Sequence, residues 1–239
     1  MSRGVGVTEA LRDWLPEWSL QWFELLSLSG DLLVIVPALA LVYLLDVRRG
    51  LSRGEREGPM CSDRTAFLVA AVFGGLALVV ALEAAFGLSR PPAEWHAVEA
   101  SPYGFPSGHT MAATVFWGAL AGWTTIGTRR SRLALASVIV ALVGVSRLVL
   151  GVHYLVDVIA SVAFGVAFLW VIWWIARGRP DRAFAVAVAV ALVALAITGG
   201  GERAVLAVAG TVGAGVGWWA LERPPVRRGL VDVVERVRG

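Results

Sequence analysis

The sequence has no lysine, only one cysteine and few charged residues. With Cys61 as its single cysteine, the chain can form neither an internal disulfide nor a cysteine-rich zinc site. Charged residues make up 16% of the 239 positions, whereas about a quarter are charged in a typical soluble domain. Heptad repeats are also missing, and 57% of the residues are hydrophobic, which excludes coiled-coil and disordered proteins. These absences together exclude a soluble globular protein.

The sequence contains long blocks of apolar residues with few charges inside them. A helix needs about 20 apolar residues to cross a bilayer core of ~30 Å. Blocks near that length occur at residues 25–45, 65–88, 108–127, 133–150, 154–176, 183–198 and 204–221. The last two are short and are separated by three glycines and Glu202, so we expect a helical hairpin; one long bent span is the competing interpretation. The sequence thus predicts an all-α fold, a polytopic membrane helical bundle.

The distribution of arginine predicts how the chain crosses the membrane. Sixteen of the 21 arginines fall in the first, third and fifth connections between spans and in the C-terminal segment. The other five fall on the opposite side: Arg3, Arg12, Arg90, Arg147 and Arg203. Cytoplasmic loops are enriched in arginine, so we expect the N-terminus outside the cell membrane and the C-terminus in the cytoplasm. The net charge of +3 follows this clustering and does not predict a nucleic-acid partner.

Tryptophan spacing predicts a separate N-terminal segment. Within residues 1–24, three tryptophans occur at four-residue intervals: Trp14, Trp18 and Trp22. This pattern favours an amphipathic helix lying at the membrane interface, with an ordinary solvated helix as the alternative. The membrane domain then covers residues 25–221, and residues 222–239 form a basic cytoplasmic tail.

Two segments on the predicted outer side hold nearly all the residues capable of chemistry, residues 83–109 and 146–157. The first ends in Pro-Ser-Gly-His at the start of the third span. Ser107 suits an N-cap, and Gly108 lets a ligand approach the backbone closely. Because a helix N-terminus presents unpaired N–H groups, we expect an anion site here; a simple turn into a helix is the alternative.

The second segment combines a histidine, a carboxylate and an arginine. His153 and Asp157 are four residues apart, so on a helix their side chains share a face. A carboxylate there can accept the proton of one ring nitrogen and leave the other as a nucleophile or base. Arg90 and Arg147 add planar donors that suit a phosphoryl group, although a purely structural Arg147–Asp157 pair is the alternative.

These residues resemble the three motifs of the type 2 phosphatidic acid phosphatase superfamily, which includes acid phosphatases and vanadium haloperoxidases. The second motif, Pro-Ser-Gly-His, matches at residues 106–109. The third, Ser-Arg-x5-His-x3-Asp, matches at Ser146, Arg147, His153 and Asp157. The first, Lys-x6-Arg-Pro, matches at Arg90 and Pro91, but Glu83 occupies the lysine position. The resemblance covers about residues 65–176 and implies a six-helix phosphatase-type core, to which we add a seventh span.

The resemblance also implies a mechanism that needs no metal and no cofactor. His153 would attack phosphorus to give a phosphohistidine, with Asp157 orienting its ring. His109 would protonate the leaving group and later activate water. The non-bridging oxygens would be held by Arg90, Arg147, Ser107 and the N–H of Gly108.

Glu83 is the departure from the family pattern. A carboxylate at a phosphate site should repel the substrate or neutralise an arginine, so we expect Glu83 to modulate the site through an ion pair with Arg90 or Arg147. His96 lies in the same outer loop, and we interpret it as a solvated loop histidine.

The sequence therefore predicts an integral membrane phosphatase acting at the outer face on a lipid phosphate or diphosphate. Polyprenyl diphosphate, phosphatidate and phosphatidylglycerol phosphate all fit, and the expected partners are that lipid and the bilayer. One alternative is an intramembrane serine protease, with Ser107 as nucleophile and His153 as base. Another is a non-catalytic membrane protein that binds an anion or a lipid.

Overall fold

The structure is a computed structural model that describes residues 5–53 and 58–238. In these two ranges the regular secondary structure consists of α-helices and short 3-10 helices, with no strand. The α-helices are α1 (Val5–Trp14), α2 (Leu20–Ser27), α3 (Leu32–Ser52), α4 (Asp63–Phe86), α5 (Gly108–Trp123), α6 (Arg129–Val149), α7 (Leu155–Ala176), α8 (Pro180–Ile197), α9 (Glu202–Leu221) and α10 (Pro224–Arg238). The 3-10 helices are Glu17–Ser19, Leu28–Gly30 and Ala93–Trp95. Arg3 and Arg56, which entered the arginine distribution, lie outside the described residues.

Six of the seven predicted spans each correspond to one helix, from α4 to α9. The first, residues 25–45, is divided instead, because it includes the end of α2 and the bend before α3. By length and composition, α4 and α6 to α9 are long and apolar enough to cross a membrane. Residues Glu17–Gly30 and α3 together make a sixth candidate, bent by 42°. Helix α5 is shorter, at 16 residues. The prediction of an all-α polytopic membrane bundle is confirmed.

Helices α8 and α9 form the expected hairpin. Helix α8 ends at Ile197 and α9 begins at Glu202, so the two are separate helices and not one long bent span. The chain reverses at Gly199 and Gly200, whose φ angles of 63° and 90° lie in the left-handed region that glycine adopts without strain. Both helices pack against α4.

Helix α4 is the central helix of the bundle. The Ser62 side chain caps its start by accepting the N–H of Thr65, and Gly87, with φ of 58°, ends it. Two glycines in its middle allow close packing: a Cβ at Gly74 would lie 3.0 Å from Ala187 of α8, and one at Gly75 would lie 2.5 Å from Val115 of α5. Small residues at such crossings let helices approach closely in a membrane protein.

The N-terminal segment differs from the single amphipathic helix that the tryptophan spacing predicts. Helix α1 ends at Trp14, and α2 begins only at Leu20. Pro16 explains the break, because proline lacks the backbone N–H and disfavours helix in the residue before it. The three tryptophans remain strongly exposed, at 82%, 70% and 56% of their surface. Helix α1 packs against α6 and α7, so the segment covers part of the bundle.

The opposite end of the bundle is joined by polar contacts between the chain before α4 and the C-terminal residues. Glu222 accepts the backbone N–H groups of Met60 and Cys61, and Arg227 in α10 donates to the carbonyl of Gly58. Burial raises the pKa of the Cys61 thiol. The predicted basic tail therefore contains a helix that contacts the connection between α3 and α4.

Candidate active site

The predicted site residues meet at one end of the bundle, where α4 and α6 end and α3, α5, α7 and α9 begin. A cavity of about 440 Å³ lies there. Its polar wall consists of Asp31, Glu83, Arg90, Glu99, Ser101, His109, Arg147 and Arg203. Its apolar wall includes Leu32, Val36, Phe73, Leu76, Val80 and Leu206. The two sequence segments singled out above thus come together, and α3 and α9 contribute as well.

His153 lies in the short connection between α6 and α7 and is 1% exposed. Its Nδ1 is 2.9 Å from the carbonyl oxygen of Gly104, and its Nε2 is 2.7 Å from Nη1 of Arg90. Because a carbonyl only accepts and a guanidinium only donates, the proton of the neutral ring belongs on Nδ1. Burial, together with the positive charges of Arg90 and Arg147, lowers the pKa of His153 well below its usual range. The ring is therefore neutral, with its lone pair on Nε2.

Gly104 is a partner of His153 that the sequence did not reveal. Its carbonyl lies closer to Nδ1 than the carboxylate of Asp157, whose Oδ2 is 3.6 Å away. Oδ2 of Asp157 also accepts the backbone N–H of Tyr154 at 2.8 Å, which fixes the carboxylate at the start of α7. Asp157 thus lies fully buried beside the ring. The carbonyl of Gly104, and not the Asp157 carboxylate, accepts the hydrogen bond from the ring N–H. The role of Asp157 in orienting His153 stays a prediction.

Arg90 connects the α4–α5 loop to the histidine. Its Nε donates to the carbonyl of Ser101 and its Nη2 to the hydroxyl of Ser101 at 2.9 Å. Its Nη1 donates both to the carbonyl of Val152, at 2.9 Å, and to His153. These contacts hold the Arg90 guanidinium within hydrogen-bond distance of His153 Nε2, the nitrogen that carries the lone pair.

Arg147, in the last turn of α6, is the second predicted anion-binding arginine. It is 4% exposed and lines the cavity. Its Nε is buried without a hydrogen-bond partner among the described residues. A buried guanidinium N–H without a partner is costly, so this nitrogen is an unused donor beside the cavity.

Ser107 and Gly108 begin α5 as expected, but their contacts differ from the prediction. Ser107 is the N-cap residue by position, yet its hydroxyl pairs with the hydroxyl of Thr110 at 3.0 Å and not with a backbone N–H. A Cβ at Gly108 would lie 2.9 Å from Oε1 of Glu83. In this structure the missing side chain of Gly108 therefore admits the Glu83 carboxylate to the start of the helix.

His109 has a carboxylate partner that sequence reasoning missed. Its Nε2 lies 3.1 Å from Oδ2 of Asp31, the residue that caps α3. The other oxygen of Asp31 accepts the N–H of Leu33 at 2.8 Å, so the helix backbone sets the orientation of the carboxylate. An acidic residue directly before a long apolar block is the signal from which a capping role could have been inferred.

Glu83 is ion-paired, but the expected partner was wrong. Its Oε2 lies 2.6 Å from Nη1 of Arg203, in the first turn of α9, and not within ion-pair distance of Arg90 or Arg147. Helix α4 ends at Phe86, so the helix does not continue from Glu83 to Arg90, although both side chains line the same cavity. The seventh predicted span thus contributes a charged residue to the site.

His96 lies outside this cluster. Its Nε2 is 3.0 Å from the carbonyl of Pro91, within the same loop, and the residue is half-buried. No group of three His, Cys, Asp or Glu side chains suited to a metal ion occurs in the part of the chain that the structure describes. Independence from metal stays a prediction.

Apolar helices that surround a cavity lined by histidine, arginine and carboxylate side chains define a polytopic membrane protein with a polar site at one end of the bundle. Residues 64–181 match the family model described as the PAP2 superfamily. This match covers all three motifs, places that part of the chain in the PAP2 superfamily, and confirms the resemblance inferred from the motifs.

A solved structure supports the same fold. The chain is similar to the crystal structure of a transmembrane PAP2 type phosphatidylglycerolphosphate phosphatase from Bacillus subtilis, with a TM-score of 0.57. The two are 22% identical, and the match covers 70% of this chain and 80% of that chain. A comparison with curated proteins found no match.

Proposed function

We propose that this protein is an integral membrane phosphatase that hydrolyses a lipid phosphate or diphosphate monoester through a phosphohistidine on His153, without a metal. The PAP2 fold supports a lipid phosphatase in general. The observation that carries the mechanism is the bonding of the His153 ring, whose Nδ1 donates to Gly104 while Nε2 accepts from Arg90. The ring is thereby held neutral, with its nucleophilic nitrogen toward the arginine that would bind the phosphoryl group.

The first half of the reaction transfers the phosphoryl group to histidine. The phosphoryl oxygens take over the N–H groups of Arg90 and the unpartnered Nε of Arg147. His153 Nε2 then forms a bond to phosphorus as the bond from phosphorus to the leaving oxygen breaks. The carbonyl of Gly104 and the carboxylate of Asp157 stabilise the positive charge that the ring acquires.

His109 moves the protons of both half-reactions. It donates a proton to the leaving oxygen in the first, and it accepts one from the attacking water in the second. The water then displaces His153 from phosphorus and releases inorganic phosphate. Asp31 lies beside Nε2 of His109 and stabilises the protonated ring while it awaits the leaving group.

The walls of the cavity support a lipid substrate at the outer face. The polar end binds the phosphoryl group, and the apolar wall between α3, α4 and α9 accommodates the first part of a lipid tail. Phosphatidate, polyprenyl diphosphate and phosphatidylglycerol phosphate each combine a phosphate headgroup with an apolar tail. The arginine distribution supports a position of this end of the bundle outside the cell membrane.

A serine protease is disfavoured by the contacts of its two required residues. The Ser107 hydroxyl pairs with Thr110, and the two ring nitrogens of His153 contact Gly104 and Arg90. No hydrogen bond therefore joins Ser107 to His153 among the described residues, as general-base activation of serine requires.

The decisive experiment is to trap the covalent intermediate. Purified protein is mixed briefly with a lipid phosphate labelled in its terminal phosphoryl group, and acid-labile, base-stable label on the protein is measured. Wild-type protein should carry the label and release phosphate, while His153→Ala should do neither. His96→Ala is the matched control, because it removes a histidine that faces the loop. Phosphate release by His153→Ala at the wild-type rate would overturn the mechanism.

A further inference from the structure

The ion pair between Glu83 and Arg203 joins two helices at the upper edge of the apolar wall. Glu83 lies one turn before the end of α4 and is 3% exposed, whereas Arg203 lies in the first turn of α9 and is 51% exposed. Their closest atoms are 2.6 Å apart. A buried carboxylate is costly without a partner, so Glu83 holds the guanidinium of Arg203 in a defined position.

Arg203 keeps donors that Glu83 does not use. A guanidinium has five N–H groups, and the contact with Glu83 is made by Nη1 alone. The side chain is half exposed and lines the cavity together with Arg90 and Arg147. A third arginine is therefore available to an anion in the cavity.

The position of Arg203 separates it from the reacting group. Arg90 lines the polar part of the cavity and contacts His153, which is itself not a lining residue. One turn beyond Arg203 along α9 the cavity wall becomes apolar at Leu206, and one turn before Glu83 along α4 it becomes apolar at Val80. Arg203 thus lies at the boundary between the headgroup part of the cavity and the tail part.

We infer that Arg203, anchored by Glu83, binds a second anionic phosphoryl group that lies between the reacting phosphoryl group and the lipid tail. This inference rests on the proposed phosphatase function and narrows its substrate class to lipids with two phosphoryl groups. A prenyl diphosphate has its second phosphoryl group directly next to the first, and phosphatidylglycerol phosphate has it beyond a glycerol. Phosphatidate has none in this position.

The test compares lipids that share the same tail but have one or two phosphoryl groups. The ratio of kcat/KM is measured for farnesyl diphosphate against farnesyl monophosphate, and for phosphatidylglycerol phosphate against phosphatidate with identical acyl chains. In one of these two comparisons, wild-type protein should prefer the lipid with two phosphoryl groups. The preferred lipid then shows which distance between the two phosphoryl groups fits the site. Arg203→Gln should lower the preference about tenfold, as expected for loss of one charge-assisted hydrogen bond. Arg203→Lys should retain most of it.

Two further variants separate binding from stability. Arg203→Gln leaves the Glu83 carboxylate without its partner, so the double variant Glu83→Gln with Arg203→Gln removes both charges and should show the same loss of preference. Arg223→Gln is the control, because Arg223 lies beyond the other end of α9 and stacks on Trp219.

Unchanged ratios in Arg203→Gln and in the double variant would overturn the role of Arg203 while leaving the phosphatase intact. Wild-type kcat/KM ratios near one for both lipid pairs would also overturn the role of Arg203. If wild-type protein releases phosphate from no lipid, the proposed function fails. Equilibrium binding of the two farnesyl lipids to wild type and Arg203→Gln then still decides whether Arg203 recognises the second phosphoryl group.

Discussion

At the scale of single residues, the site is organised by partners that fix which ring nitrogen carries a proton. Gly104 and Arg90 assign opposite roles to the two nitrogens of His153, one as donor and one as acceptor. Asp31 provides the corresponding contact for His109. Since a histidine serves as nucleophile or proton donor only in the right tautomer and orientation, these partners matter as much as the histidines.

Asp31 is expected to act through His109. Asp31→Asn keeps the shape of the side chain and an oxygen that can cap α3, but it removes the negative charge beside the ring. Hydrolysis of a lipid phosphate, whose leaving oxygen needs a proton, should slow about tenfold, a fraction of the roughly 10²–10⁴-fold that general acid catalysis contributes. Hydrolysis of p-nitrophenyl phosphate, which has a good leaving group, should change much less. Steady-state rates on both substrates measure the difference.

Asp13→Asn is the matched control for this experiment, because Asp13 is an exposed carboxylate in α1. An equal loss on both substrates would mean that Asp31 only supports the structure of α3. An unchanged rate on both would remove Asp31 from the mechanism.

At the scale of elements, the loops at the site end are held together by close backbone contacts. The loop after α4 pairs with itself through a bridge between Ser89 and Tyr103, and its Ala97 N–H donates to the carbonyl of Leu150 at the end of α6. Trp95 packs directly on Gly151, so the loop that carries Arg90 and the connection that carries His153 form one packed unit. Arg12 of α1 lies over the ring of Trp95, at 5.7 Å from its centre, and extends this contact to the N-terminal segment.

Gly151→Ala should disrupt this unit. Gly151 has φ of 71°, which costs about 1–2 kcal/mol for a residue with a Cβ, and the new Cβ would also collide with the carbonyl of Trp95. His153 lies two residues further on, so we expect both a lower melting temperature in detergent and a loss of most phosphate release.

Gly178→Ala separates backbone strain from the collision. Gly178 has a similar φ of 76°, a Cβ added there would meet no atom within 4 Å, and the residue lies at the other end of the bundle. This variant should lose about the same stability from backbone strain while it keeps its activity. Wild-type phosphate release by Gly151→Ala would show that the contact with Trp95 is not needed.

At the scale of the whole molecule, the alternation of helices separates two chemically different ends. One end holds the cavity with its paired charges, and the other holds the arginine-rich connections and α10. Four tryptophans near that other end are more than half exposed, which suits contact with lipid: Trp170, Trp173, Trp174 and Trp219. Trp218 differs, because it stacks on Phe184 between α8 and α9.

The orientation in the membrane can be tested by thiol labelling. In a Cys61→Ala background, Glu94→Cys places a thiol on the exposed loop beside the site, and Ile126→Cys places one between α5 and α6 at the other end. A membrane-impermeant thiol reagent should label Glu94→Cys in intact cells, and Ile126→Cys only after permeabilisation. The reverse pattern would put the site on the cytoplasmic face, and labelling of both positions in intact cells would contradict the assigned topology.

The helical bundle and the two halves of the site could be predicted from the sequence, because both depend on local patterns. Hydropathy over about 20 residues predicts a membrane span, whichever helices that span packs against. The short separation of His153 and Asp157 along the chain keeps them close at the start of α7, but α7 begins only at Leu155, so the predicted shared helix face is wrong. The Pro-Ser-Gly-His segment begins a helix, as its local sequence predicts.

The residues that complete the site could not be predicted, because they are far from their partners along the chain. Gly104 is 49 positions from His153, Asp31 is 78 from His109, and Arg203 is 120 from Glu83. Such contacts arise from the way helices and loops from distant parts of the chain pack at this end of the bundle, and no local periodicity encodes them. The error over the partner of Glu83 has this cause, since an ion pair is set by which helix packs alongside and not by distance along the chain.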